Sequence, residues 1–367
     1  MKIAVITMQG VYNYGSALQT FATQSYLESK GHTVEIIDYY PYRMRNYGSF
    51  SQLYRDAKPF HKSVAKSSAA AFVKFWSFKK LEKAFAPFSR ELIKKTRKFE
   101  SNEDLMQNPP EADIYCTGSD QVWNDYLEGK FDTAYFLDFA PTGKKKIAYS
   151  ASFGRDDIEP EELISVQELL NQYSAISVRE ESGLYTLSKT CIPHKCCVLD
   201  PTFMLSGEEW RRIATDIPHK GYVLVYKLHE DSIASEAAIE IAKKMNKKVI
   251  RISNDYLKRI KGGMTVVAPE VRQFISYIAN ADMVVTDSFH ATSFAINLNV
   301  PFVSIQWKMF NDRIGTILRK TGLLDRSVSS IEDALKISDM PINFDVVNTA
   351  LNKERKFTEE FLEKVIW

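Results

Sequence analysis

Two successive runs of short apolar segments alternating with helix-length segments constrain this chain more than any other feature of its sequence. Residues 2–7 form a β-branched run, residues 8–16 a polar loop, and Ala17, Leu18, Phe21, Ala22, Ser25 and Tyr26 an apolar-periodic stretch that ends at Lys30-Gly31. With a second strand at 33–39, the opening is a β-α-β unit, which is parallel and right-handed by rule. Strands are expected again at 112–117, 146–150, 175–178 and 196–199, with helices at 160–173 and 180–187. After Asp200-Pro201-Thr202 the alternation restarts, with strands at 222–227, 248–253, 283–286 and 302–305, helices at 232–245, 271–280 and 291–297, and a last helix at 349–367. The fold class is therefore α/β, with two Rossmann-like domains facing a cleft, 1–205 and 206–367. Asp38 ends the second strand, where dinucleotide folds place a ribose-binding acid, but the preceding loop lacks Gly-x-Gly-x-x-Gly, so the layout is supported and NAD is not.

The length of 367 residues agrees with two domains, since single cores stop growing near ~250–300 residues. Charge is near balance at +2, which gives no reason to expect nucleic-acid binding, yet it is unevenly spread. Residues 41–100 hold fifteen Lys/Arg against four Asp/Glu, a net +11, and leave −9 for the rest. This segment reads as a basic helical insertion, mostly helical from Lys58 onward. In it Phe72, Phe75, Trp76, Phe78, Phe85 and Phe88 interleave with Lys74, Lys79, Lys80 and Lys83. Such a helix either lies on an anionic membrane surface or packs as one of a pair with solvated lysines. Four cysteines give neither a disulfide framework nor a zinc pattern, and no leader or membrane-spanning stretch is apparent, so a cytoplasmic protein, peripherally membrane-associated in the first case, is expected.

Ligands of open parallel sheets bind beyond the carboxyl ends of the strands. The loops at those positions are rich in small and polar residues: Asn13-Tyr14-Gly15-Ser16, Gly118-Ser119-Asp120-Gln121, Ser150-Ala151-Ser152, Ser253-Asn254 and Asp287-Ser288-Phe289-His290. Each taken alone also suits caps and turns. His290 follows its strand by four residues and is the histidine best placed for proton transfer, although a structural hydrogen-bonding role is open. His32, His61, His194, His219 and His229 read as loop or surface residues. Arg179 and Arg313 sit just after strands and suit carboxylate or phosphate oxygens, unless they pair with Glu180 or Glu181 and with Asp312. No phosphate-binding Gly loop, nucleophile elbow, Asp-x-Asp pair or histidine cluster is present, and no metal is expected.

The segments Asn13-Tyr14-Gly15-Ser16-Ala17-Leu18-Gln19, Thr117-Gly118-Ser119-Asp120-Gln121-Val122-Trp123-Asn124, Tyr149-Ser150-Ala151-Ser152-Phe153-Gly154, Ser177-Val178-Arg179-Glu180, Leu199-Asp200-Pro201-Thr202 and Thr286-Asp287-Ser288-Phe289-His290 resemble, in order, those of the polysaccharide pyruvyl transferase family. The resemblance implies a GT-B-like fold and transfer of a pyruvyl group from phosphoenolpyruvate, as a ketal, to a sugar of a cell-surface polysaccharide or its precursor. It implies phosphoenolpyruvate as co-substrate without a further cofactor, and a glycan or lipid-linked glycan as acceptor. His290 matches the catalytic histidine and Arg179 a donor-binding arginine. Ser288 stands where well-studied members carry a second donor-binding arginine, so either Arg313 supplies that charge or donor recognition differs. Asn13, Tyr14, Gly15, Ser119, Asp120, Gln121 and Asn124 are the implied acceptor side. Two other readings stay open: a nucleotide-sugar glycosyltransferase, and a catalytically silent glycan-binding relative.

Overall fold

The structure is a computed structural model that describes residues 1–41, 48–57, 63–124, 131–155, 158, 160–188, 190, 192–307 and 312–366. His61 and the Lys58 helix start lie outside the described residues. The first sheet comprises β1 (Lys2–Ile6), β2 (Thr33–Tyr39), β3 (Lys95–Phe99), β4 (Ile114–Thr117), β5 (Lys145–Ala151), β6 (Ala175–Val178) and β7 (Lys195–Cys197), in the order β3-β2-β1-β4-β5-β6-β7. The second comprises β8 (Val223–Tyr226), β9 (Val249–Ser253), β10 (Met264–Val267), β11 (Met283–Thr286), β12 (Phe302–Ile305) and β13 (Ser327–Val328), in the order β10-β9-β8-β11-β12-β13. Every described pairing is parallel, with Ile3 opposite Ile114 and Met283 opposite Val223. Central strands such as Val-Leu-Val-Tyr (β8) and Met-Val-Val-Thr (β11) are buried throughout and mostly apolar because helices cover both faces.

The helices of the first half are α1 (Tyr14–Ser29), α2 (Phe50–Ala57), α3 (Val64–Leu92), α4 (Asn102–Gln107), α5 (Pro160–Leu170) and α6 (Glu181–Leu187). Those of the second are α7 (Gly207–Ile213), α8 (Ala234–Met245), α9 (Val271–Ala279), α10 (Phe289–Asn297), α11 (Asp312–Thr321), α12 (Ile331–Ser338) and α13 (Phe344–Ile366). Both sheets reverse direction at their first strand, so the switch points lie between β1 and β4 and between β8 and β11. The crevice beyond the strand ends at these two points is where the architecture would seat a ligand.

The basic segment differs from the sequence expectation. It is helical in α2 and α3, but its last part is β3, Lys-Thr-Arg-Lys-Phe, which pairs with β2 as the sheet edge. Charge suits an edge strand, where unpaired backbone groups invite association, and the same charge hides the strand from an apolar-run search. The short β10 and β13 were equally invisible, being a four-residue strand behind Gly262-Gly263 and a two-residue strand. His32 is buried rather than superficial.

The two halves share a continuous apolar core that runs from Ile3 and Val5 of β1 through Trp210 to Leu224 of β8 and Val284 of β11. Tyr14, the first residue of α1, stacks flat on Phe274 of α9 at 4.4 Å between centroids, and its hydroxyl donates to Pro269 O at 2.7 Å. Trp210 donates from Nε1 to Thr202 O at 2.9 Å and meets Phe294 edge-on at 4.9 Å. The last helix, α13, ties both halves: Arg355 Nε donates to Phe203 O and Nη2 to Asn297 Oδ1, each at 2.7 Å. Farther along it, Thr358 Oγ1 accepts from Leu199 N at 3.1 Å, and Glu359 pairs with Lys30 of the first half. Trp210→Ala should lower stability by about 3–5 kcal/mol, as for other buried aromatic truncations, and the midpoint of urea unfolding measures it.

Candidate active site

The residues at the first sheet's carboxyl end form a buried knot of charge. Asn13 caps α1, its Oδ1 accepting from Gly15 N at 2.8 Å, which turns Gly15 and Ser16 toward β4. Past β4 the chain passes through Asp120 with φ of +76°, an uncommon value for a residue with a side chain, and the Asp120 carboxylate accepts from Ser16 Oγ. Ser150 has φ of +56°, where the β5–β6 register shifts, and Ala151 beyond it accepts from Arg179 N at 3.2 Å. Arg179, with 1% of its side chain exposed, reaches Asp120 Oδ1 at 3.4 Å and Asp200 Oδ2 at 3.3 Å, with Glu180 Oε2 3.6 Å from its Nε. Asp200 also accepts from Ser119 Oγ at 2.8 Å and from the Thr202 hydroxyl at 2.7 Å. Burial opposes ionisation of Asp120 and Asp200, yet Arg179, His290 and these hydrogen bonds outweigh it and hold both carboxyls below their usual range.

His290 enters this knot from the second domain. Ser288 caps α10, accepting from Ala291 N, so His290 lies in the first turn and projects back over the cap toward α1. Its imidazole rests on Gly15, where a Cβ would overlap ring atoms Cγ and Cδ2. Both ring nitrogens are buried without a hydrogen-bond partner among the described residues. Burial, aided by Arg179 and Arg313, outweighs Asp200 and Asp120 and pushes the imidazole below its ordinary value. Asp287, its neighbour in sequence, faces elsewhere: it accepts from Leu228 N at 2.7 Å and His229 N at 3.2 Å, and so closes the β8–α8 loop. His229 in turn stacks on Trp307 at 3.8 Å.

Arg313 also belongs to the cluster, since its charge acts on His290 and on Glu180. The Gln121 carboxamide, with its oxygen turned to the guanidinium, accepts from Arg313 Nη2 at 3.1 Å and lies 3.1 Å from Asn124 Nδ2. Gly154, at φ of +70°, leaves room for these amides, because a Cβ there would fall 2.5 Å from Asn124 Nδ2. Asp312 is engaged otherwise, accepting from Ser182 N at 2.8 Å and from Arg319 at 2.7 Å. Glu180 is pushed upward by burial despite Arg179 and Arg313, and so holds a proton more readily than an ordinary glutamate. The phenyl ring of Phe289 lies 4.8 Å from the Arg179 guanidinium and covers it from the second domain.

Of the residues expected at the site, Gly15, Ser119, Asp120, Arg179, His290 and Arg313 converge, with Gln121 and Asn124 beside Arg313. Tyr14 instead serves the domain contact and Asn13 the α1 cap. Glu180 and Asp200 were missed as site residues, although both stood in the segments that carried the family resemblance. Beside the α1 start lies a cavity of about 470 Å³, lined by Gln9, Tyr12, Tyr40, Phe85, Arg90 and Lys95 among others. It sits past the ends of β1 and β2 and is roofed by α3.

Two parallel-stranded Rossmann-like domains with a charged site between them define a GT-B-type architecture, and solved structures agree. UDP-N-acetylglucosamine 2-epimerase from Rickettsia bellii superposes with a TM-score of 0.58 at 12% identity, over 100% of this chain and 97% of its own. The Methanocaldococcus jannaschii UDP-GlcNAc 2-epimerase, in complex with UDP-GlcNAc and UDP, gives 0.54 at 15% identity, over 94% and 93%. No curated protein matches by sequence. Residues 13–308 match the polysaccharide pyruvyl transferase family, and the chain belongs to that family.

Gly15→Ala should force the imidazole off its seat; a loss of activity like that of a His290 variant, with helix content kept by circular dichroism, is the expected result. Acid should act on stability through His290. The folded value lies below the usual 6.5, so the neutral ring's contribution is complete above pH 6.5 and is lost as pH falls toward the folded value. The unfolding free energy of wild type, relative to His290→Gln, should therefore decline below pH 6.5 in denaturant titrations.

Proposed function

We propose that the protein transfers the three-carbon unit of phosphoenolpyruvate to two hydroxyls of one sugar, forming a ketal and releasing inorganic phosphate. The observation that carries this reading is the His290 imidazole, buried on Gly15 with both ring nitrogens lacking a partner among the described residues, in a chain of the pyruvyl transferase family. Ketal formation calls for a base and an acid, and the upward shift of Glu180 suits it to the second role. The acid, Glu180, protonates the donor's methylene carbon while His290 takes the proton of the first attacking hydroxyl, so that the central carbon gains its first sugar oxygen. The second hydroxyl then displaces phosphate: His290 gives its proton to the departing phosphate, and the proton of the second hydroxyl passes to Glu180, so both residues return to their starting forms.

Arg179 is already matched by Asp120 and Asp200, so its field acts from beneath Phe289. Direct contact with the donor's carboxylate or phosphate falls to Arg313, which is only half buried, and to the α10 N-terminus that Ser288 opens. This arrangement offers a substitute for the family arginine that Ser288 replaces. The acceptor glycan would approach through the cavity under α3, whose aromatic rings suit sugar faces and whose polar groups suit hydroxyls.

Phosphoenolpyruvate at 100 times its dissociation constant should stabilise the protein by about 2.7 kcal/mol, read as a rise in melting temperature. UDP- and GDP-sugars form the opposing arm, because the epimerase with bound UDP-GlcNAc shares the fold. Stabilisation by nucleotide sugars alone would replace the pyruvyl reading with a glycosyl one. With donor and glycan supplied together, His290→Ala should lower phosphate release by ~10²–10⁴ without lowering the melting temperature comparably. A stable variant with wild-type turnover would remove His290 from the chemistry. Glycan binding with no turnover of either donor would leave a silent glycan-binding protein.

A further inference from the structure

The basic segment presents an exposed aromatic strip that no part of the catalytic cluster uses. On α3, Phe72 and Trp76, one helical turn apart, are 56% and 54% exposed, and Phe50 at the start of α2 is 43% exposed. Phe75 joins them, its ring 6.1 Å from Trp76 and 6.5 Å from Phe50, while Phe72 lies 6.2 Å from Trp76. Large aromatics left in water cost free energy, and contiguous ones mark a surface that something covers. The next turns of the same helix face carry Lys79, Lys80 and Lys83, all exposed, whereas Lys74 is half-buried and falls on the far side of the helix. Lys79 approaches the Phe75 ring to 5.8 Å and pairs with Glu82 at 2.7 Å. The opposite face of α3 is packed, with Leu81, Ala84, Phe85 and Phe88 in the core.

The division of this helix selects the partner. An apolar protein groove would match the aromatics and leave the lysines unanswered, whereas an anionic bilayer answers both. Its headgroup region accepts Trp and Phe rings, and its negative surface attracts cations at ~1 kcal/mol each. Charge over the wider segment agrees in sign, at +11 against −9 for the remainder. No helix among the described residues is long and apolar enough to cross a membrane, and the contact is therefore peripheral. We propose that the α2–α3 unit docks the protein on an anionic lipid surface, with Phe50, Phe72 and Trp76 inserted at headgroup depth and Lys79, Lys80 and Lys83 against the lipid charge. The proposal is independent of the reaction assigned above.

The test is co-sedimentation of the full-length protein with phosphatidylcholine vesicles, with and without phosphatidylglycerol, at low and high salt. Binding should require phosphatidylglycerol and fall with salt, and Trp emission should shift to the blue. Phe72→Ser with Trp76→Ser should abolish binding, and Lys79, Lys80 and Lys83 changed together to glutamine should weaken it on the order of 100-fold. Unchanged melting temperatures show that both variants are folded, as expected for exposed positions. Equal sedimentation of wild type and the glutamine variant overturns the proposal, as does absence of binding by the wild type. A wild-type dimer that the serine variant dissociates, without vesicle binding, assigns the strip to a second copy and overturns it too.

Discussion

The contact of the His290 imidazole with Gly15 is the interaction on which the rest of the site depends. One partner belongs to the first turn of α10 in the second domain and the other to the first turn of α1 in the first. Only a residue without a side chain lets the ring come this close, and only a closed pair of domains brings the two turns together. Tyr14, next to Gly15, fixes that closure by stacking on Phe274. Structural and functional demands therefore meet in two consecutive residues, of which one joins the domains and the other seats the histidine.

Charge balance explains why this buried centre is tolerable. Arg179 taken alone would be costly to bury, and so would Asp120 and Asp200; the two carboxylates share Arg179, Arg313 adds the second positive charge to the cluster, and hydroxyls from Ser16, Ser119 and Thr202 meet further oxygens. Against that neutralised background, small differences in environment send neighbouring groups in opposite directions. Burial drives His290 toward its neutral form and Glu180 toward its neutral form as well. The titrations of base and acid are thereby drawn toward each other from the separation that free histidine and glutamate side chains show.

Much of this was legible from residue order. Parallel strands buried on both faces announce themselves as apolar runs, and the loops that follow them concentrate Gly, Ser, Asn and Asp, so the architecture and His290, Arg179 and Asp120 could be read directly. What could not be read were relations made by folding alone. Asp287 is three residues from His290, yet it precedes the α10 cap and turns to the β8–α8 loop, while Asp200, distant in sequence, comes beside the imidazole. Arg179 has Glu180 as a sequence neighbour but makes its shorter contacts with Asp120 and Asp200. The β3 strand escaped because a sheet edge needs no apolar pattern.

The path of α13 has a thermodynamic consequence. Its hydrogen bonds reach Phe203 and Asn297 at one stage and Leu199 at another, and its side chains Val347, Leu351, Leu362 and Val365 join the core shared by both sheets. Unravelling either domain alone would expose the apolar side of this helix, so neither half has a low-energy state in which its partner has melted. Two architectural domains should then behave as one cooperative folding unit, with protection of backbone amides against hydrogen exchange governed by a single global opening in the strands of both sheets.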